Sequence, residues 1–308
     1  MMSQTIPVLS LADFLTEETT RREQFVTDLG EALTAIGFFA LTHHGIDPDL
    51  ISAAYAAAAA VFDLPAEVKA QHQDLALKGQ RGYTALGREH AKDSPYADLK
   101  EFWHIGRAGG VPANLWPTAV PTLQPTMMAL FEQLERCAVQ LLQACALYLD
   151  LPADFLAAMT VDSPTLLRVL HYPPVPSDRL PAQMRAAAHE DINLITLLCE
   201  ATAPGLELLQ ADGTWLPITA IPGQIIVDTG DMLQNLTNGL FKSTTHRVTN
   251  PANDRDRRFS LPFFVHPRPE VDLSPLPTCV ARTGGHERYP HWTAGAYLQQ
   301  RLREIGLA

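Results

Sequence analysis

The sequence predicts a mainly β fold, a sandwich or barrel flanked by helices, and two textures along its 308 residues carry that prediction. After about residue 164, apolar and β-branched runs alternate with Pro, Gly, Asn and Asp turns, the mark of many short strands. Before it, apolar residues recur at helical spacing. Between 126 and 148, Met127, Leu130, Phe131, Leu134, Cys137, Ala138, Leu141, Leu142 and Cys145 keep a 3.6-residue period.

In chain order, residues 6–9 read as a short strand. Phe25, Val26, Leu29, Leu33 and Ile36 then define a helix that Gly37 stops. Residues 38–41 form a strand running into the turn His44-Gly45-Ile46. Residues 48–70 read as alanine-rich helix interrupted at Pro65, and the Gly-rich stretch 78–87 reads as loop. Beyond the 126–148 helix, strands are predicted at 165–172, 193–199, 205–210, 224–227, 244–248 and 258–265, with a closing helix at 294–305. No repeat or linker divides the chain, and the early helices need a sheet to cover. We therefore expect one composite domain over 1–308, with a helix-rich region at 1–160, a stranded core at 161–270 and a tail with a helix at 271–308.

Composition narrows the functions. Against 34 Asp+Glu stand 23 Lys+Arg, a formal net charge of −11, so nucleic acid and anionic membrane gain no general electrostatic attraction. The longest apolar run, 53–62, is too short and too alanine-rich to span a bilayer, and the first fifteen residues lack a secretory pattern. Cys137, Cys145, Cys199 and Cys279 form no CxxC and read as small core hydrophobes. A cytoplasmic protein is expected, and the oligomeric state is not legible. Neither GxGxxG, a P-loop nor GxSxG occurs, so nucleotide and serine-hydrolase readings have no anchor.

The chemistry-bearing pattern lies in the stranded half. His189 and Asp191 are two apart and share a face if extended, and His246 follows 55 residues after Asp191. Two imidazoles and a carboxylate are the donor set of a facial triad for Fe(II), which leaves the opposite positions open. HxD alone is weak evidence. Twelve residues past His246, however, Arg258 and Ser260 share a face at the start of an apolar strand, and that pair fits a carboxylate in two-point contact. The competing reading of Arg258 is a solvated edge-strand arginine.

The ordered set Leu170-His171-Tyr172-Pro173-Pro174, His189-Glu190-Asp191, Gly230-Asp231-Met232-Leu233, Thr237-Asn238-Gly239, residues 243–248 and Arg258-Phe259-Ser260 resembles the isopenicillin N synthase-like Fe(II)/2-oxoglutarate-dependent dioxygenases, including plant flavonol synthase and gibberellin oxidases. The resemblance reaches upstream to Gly37-Phe38-Phe39 and His44-Gly45-Ile46 and downstream to the closing helix, covering nearly the whole chain. It implies a double-stranded β-helix, or jelly roll, with N-terminal helices and a C-terminal helix. It also implies iron on His189, Asp191 and His246, 2-oxoglutarate held by Arg258 and Ser260 with help from Tyr172, and a small organic substrate against Phe264. O2 would be the co-reactant, succinate and CO2 the products, and ascorbate an activator. A flavonoid-like substrate, hydroxylated or desaturated, is one expectation. Tyr83, Glu89 and residues 100–103 match substrate-facing loops, and Arg168 could serve an anionic group. The sequence departs from many plant members at Leu170, where they carry Asn, and at Leu236, where they carry an aromatic residue. The alternatives are a 2-oxoglutarate-independent oxidase of the isopenicillin N synthase or aminocyclopropane-carboxylate oxidase kind, a non-catalytic jelly roll that senses iron or 2-oxoglutarate, and a zinc hydrolase, for which no general base stands out.

Overall fold

The computed structural model describes residues 5–307 apart from 93, 178, 181, 220 and 254. The chain opens with β1 (Val8–Ser10), α1 (Leu11–Leu15), α2 (Thr19–Ala35), β2 (Phe38–Thr42), α3 (Pro48–Phe62), α4 (Ala66–Ala70), β3 (Gly82–Thr84), β4 (Glu101–Gly106), α5 (Leu123–Tyr148) and α6 (Phe155–Ala158). The second half comprises β5 (Leu166–Tyr172), β6 (Ala186–His189), β7 (Ile195–Cys199), β8 (Leu206–Leu209), β9 (Trp215–Pro217), β10 (Ile225–Thr229), α7 (Asp231–Leu236), β11 (His246–Val248), β12 (Arg258–Val265), α8 (Pro277–Arg282) and α9 (Ala294–Glu304).

Local chemistry sets several boundaries. Asp47 accepts the Asp49 N–H at 2.9 Å and Pro48 opens α3, so cap and proline fix that helix start together. Gly37 ends α2 with φ +76°, and a Cβ there would collide with the Lys242 carbonyl.

The strands form two sheets. The larger runs β1-β2-β10-β7-β12-β5-β4-β3, and the smaller runs β6-β11-β8-β9. From β5 onward the chain passes repeatedly between them, so β5, β7, β10 and β12 face β6, β8, β9 and β11 in the expected jelly roll. Helices α2, α3 and α5 pack on the outer face of the larger sheet, and one apolar cluster runs from Leu9 through α5 and the sheet to Ala294. The α5 stripe read from its period is buried throughout. All four cysteines are buried free thiols. No helix among the described residues is long and apolar enough to cross a membrane.

The stretch read as loop at 78–87 contains β3, and residues 100–103, expected in a substrate-facing loop, run into β4 (Glu101–Gly106). Glycine at 82 masks the first: its φ of +69° serves the strand entry, while Tyr83 and Thr84 pair with Trp103 and Phe102. β6 and β9 were also not foreseen. An Ala-Ala-Ala-His run has no strand propensity of its own and becomes a strand through pairing with β11.

Candidate metal centre and substrate cavity

β6 is an edge strand, and its last residue, His189, is the cross-strand partner of His246 at the start of β11. The two rings lie 4.4 Å apart between centroids. Asp191, just past the strand, places Oδ1 3.8 Å from His246 Nε2, and ligand atoms of all three residues lie within 4.8 Å of one another. The antiparallel register thus converts a separation of 55 residues into one point of convergence.

Both imidazoles are oriented from behind. His189 Nδ1 donates to the Ala187 carbonyl at 2.7 Å, and His246 Nδ1 to that of Thr244 at 3.1 Å. With Nδ1 committed to a carbonyl, each ring presents Nε2 as its atom for a metal. Burial, with His246 and Lys100 nearby, pushes His189 down to about 4, so it is uncharged at neutral pH. The Thr196 hydroxyl donates to Asp191 Oδ2 and itself accepts from Asn193 Nδ2 at 3.0 Å. Backbone N–H groups of Asp231 and Met232, at the start of α7, hold the carbonyls of Asp191, Ile192 and Asn193. Asp228 on β10 is pushed well above the usual carboxylate range by burial and by Asp191. Two imidazole nitrogens and one fixed carboxylate fit a divalent iron.

The ladder between β5 and β12 pairs Arg258 with Tyr172 and Ser260 with Leu170. Arg258 is 2% exposed and far from the solvated-arginine reading. Its Nη1 donates to Ser260 Oγ at 3.2 Å, its Nε to the Ala203 carbonyl at 3.0 Å, and the guanidinium lies 5.0 Å from the Tyr172 ring centre. The fork is in place, and Tyr172 forms its floor. Leu170, where many plant members carry Asn, adds an apolar patch beside it.

Triad and fork open into one cavity of about 140 Å3, bounded by both sheets, by Leu298, Arg301 and Leu302 of α9, and by Ile305 just past it. Phe264 and Arg168 line it, as do Glu89 and Lys100. Tyr83 does not: it pairs with Trp103 on the helix-covered face, and its hydroxyl donates to Glu101. Strand alternation sends Glu101 and Trp103 to that same face, so of the expected substrate-facing segment 100–103 only Lys100 lines the cavity. Leu236 is buried in α7, away from the cavity wall. Arg168 is not free for an anion. Its two terminal nitrogens each reach a Glu89 oxygen at 3.0 Å, its Nε meets a His104 held neutral by burial and by Arg168 itself, and Phe102 and Phe264 flank it at 4.3 and 5.2 Å.

Sequence reasoning missed the supports. Lys100 links Glu89 and Asp98, and Asp98 Oδ1 accepts the Ala187 N–H at 2.9 Å along the outer edge of β6. Ala187 is thus held by Asp98 through its N–H and holds His189 through its carbonyl. His266 was also missed. It extends the inward row Arg258, Ser260, Pro262, Phe264 by one step, so the period of two that found the fork also contained it.

Residues 6–121 match the family model for the non-haem dioxygenase in morphine synthesis N-terminal region, and residues 164–267 match that of the 2OG-Fe(II) oxygenase superfamily. A 2-oxoglutarate-Fe(II) type oxidoreductase of Emericella nidulans is 30% identical over 95% of this chain and 89% of its own length. Among solved structures, a 2OG-Fe(II) oxygenase family protein from Caulobacter crescentus is 38% identical, with a TM-score of 0.84, 97% of this chain and 98% of that one covered. A full-length Neurospora crassa protein solved in complex with alpha-KG and thymine is 28% identical, with a TM-score of 0.88, covering 98% of this chain and 97% of that one.

Proposed function

The chain belongs to the 2OG-Fe(II) oxygenase superfamily and is an Fe(II)- and 2-oxoglutarate-dependent dioxygenase, and from that premise we propose that His189, Asp191 and His246 hold its iron while Arg258 and Ser260 hold its 2-oxoglutarate. The observation that carries this reading is the convergence of the three ligand atoms within 4.8 Å in the same cavity as a buried guanidinium–hydroxyl fork. When bound, iron and 2-oxoglutarate supply the oxidative chemistry: O2 and 2-oxoglutarate give succinate and CO2, with one oxygen atom directed at a substrate C–H bond. This chain's residues supply the rest. Arg258 and Ser260 bind the distal carboxylate, and Tyr172 lies against the guanidinium. The Ala187 and Thr244 carbonyls keep the imidazoles aimed, and Thr196 keeps Asp191 in one rotamer. Leu170, Leu198 and Phe264 exclude water beside the metal.

The substrate in this reading is one small organic molecule, hydroxylated or desaturated. The cavity of about 140 Å3 also has to take iron and 2-oxoglutarate, so the reading favours a small substrate over a three-ring flavonoid. The reading also treats the chain as one composite domain, supported by the apolar cluster shared by helices and sheet. A reducing, cytoplasmic setting is supported by the four free thiols.

The test is O2 uptake and succinate release by purified protein with Fe(II), ascorbate and a panel of one-ring and small aliphatic compounds. Uptake should require 2-oxoglutarate, with one succinate formed per O2 consumed in coupled turnover. Uptake indifferent to 2-oxoglutarate would transfer the assignment to the oxidase alternative.

A further inference from the structure

Among the described residues, five cations face the cavity: Lys92, Lys100, Arg168, Arg258 and Arg301. Four of them are met by carboxylates. Lys100 lies 2.7 Å from Glu89 and 2.8 Å from Asp98, Arg168 lies 3.0 Å from Glu89, Arg301 lies 2.8 Å from Glu304 and 3.6 Å from Asp231, and Lys92 lies 3.8 Å from Glu304. Arg258 has no carboxylate partner among the described residues, and its partner in the reading above is 2-oxoglutarate. An anionic primary substrate would therefore enter a wall whose remaining positive charge is already matched. Its desolvation would go uncompensated.

His266 is a polar group in this wall with its hydrogen bonding unfilled. It is 6% exposed and lines the cavity; Nδ1 is sealed and without a partner, so a bound molecule can meet the ring only at Nε2, which carries no hydrogen bond among the described residues. Its backbone is fixed at both groups by Thr165 Oγ1, which accepts from its N–H at 3.1 Å and donates to its carbonyl at 3.3 Å. Burial pushes the ring down to about 4, so it is uncharged near neutral pH. The Nε2 edge is therefore the part of this ring that a bound molecule can satisfy with a hydrogen bond. Beside it stands the apolar ring of Phe264, and beyond that the fully paired Arg168.

We infer that the primary substrate is a small uncharged molecule with a carbonyl or amide edge, and that His266 is the residue that hydrogen-bonds this edge and so determines specificity. The inference rests on the assignment of iron and 2-oxoglutarate above. Arg258 takes the anion, and His266, at the other end of the same inward row, takes the neutral partner. The two ends of this inward row thereby sort cosubstrate from substrate by charge.

The test uses the full chain loaded with Fe(II) and 2-oxoglutarate under anaerobic conditions. Matched probes of similar shape, benzamide against benzoate and 2-piperidone against cyclohexanecarboxylate, are titrated calorimetrically. The neutral member of each pair should bind about tenfold more tightly or better, the worth of about one hydrogen bond. His266→Leu should remove that preference and His266→Gln should restore part of it, with 2-oxoglutarate affinity retained in both as the check on folding. A carboxylate that binds as well as or better than its neutral partner, a neutral probe that fails to bind, or a His266→Leu variant with unchanged affinity for the neutral probes overturns the inference. Failure of 2-oxoglutarate itself to bind the metal-loaded protein would instead overturn the underlying assignment.

Discussion

The two faces of the larger sheet are made from alternate residues of the same strands and follow opposite chemistry. Toward the helices, β5 and β12 present Leu167, Val169, Phe259, Leu261, Phe263 and Val265, all in the main apolar cluster. Phe131 of α5 meets Phe263 edge-on at 4.9 Å between ring centres. Toward the cavity the intervening positions are Arg168, Tyr172, Arg258 and Ser260 among apolar neighbours. Two adjacent residues of one strand can thus differ completely in what their replacement disturbs. The division is not absolute: Glu101, Lys69 and His171 form a buried polar cluster on the helix side.

Substitutions on the two faces should separate catalysis from stability. The largest effect is expected at the triad, where Asp191→Ala should abolish substrate-dependent succinate release and Fe(II) binding while the protein stays folded by circular dichroism. Next is Phe263→Ala on the helix face, expected to lower unfolding free energy by about 3–5 kcal/mol in denaturant titration without changing 2-oxoglutarate affinity. Arg258→Ala, five residues away on the cavity face, should do the reverse. It removes a charge-assisted contact and should weaken 2-oxoglutarate binding by about tenfold to a hundredfold, for a small change in stability. The smallest effect is expected for Asp98→Ala, which frees the edge of β6 and should weaken metal binding by about tenfold through His189. Asp98→Asn keeps an acceptor for Ala187 and should recover part of that loss. Equal losses of stability and of ligand affinity at Phe263 and Arg258 would dissolve the distinction between the faces.

Much of this was legible in the sequence, for identifiable reasons. The α5 stripe and the alternation in β5 and β12 are long enough to declare their periods, and the residues of the triad and fork are of types that are costly to bury without a task. What stayed hidden depends on pairing across the chain. Ala186–His189 is a strand because β11 lies beside it, and Tyr83 turns from the cavity because its register with Trp103 decides its face. Asp98, Thr196 and Asp228 act through single contacts with backbone or side chain, and no spacing announces them. Arg168 illustrates the same limit, since its availability depends on Glu89, 79 residues away.

The placement of His189 and His246 as direct neighbours across a ladder has a further consequence. Among the described residues β6 has β11 on one side and no strand on the other, so few backbone bonds keep it from fraying. An ion bound by both imidazoles would act as a rivet through that margin, tying the last residue of one strand to the first of the next. Loading with metal should accordingly slow amide hydrogen exchange at residues 186–189 far more than in β12, and cofactor uptake and local order at this rim become a single equilibrium.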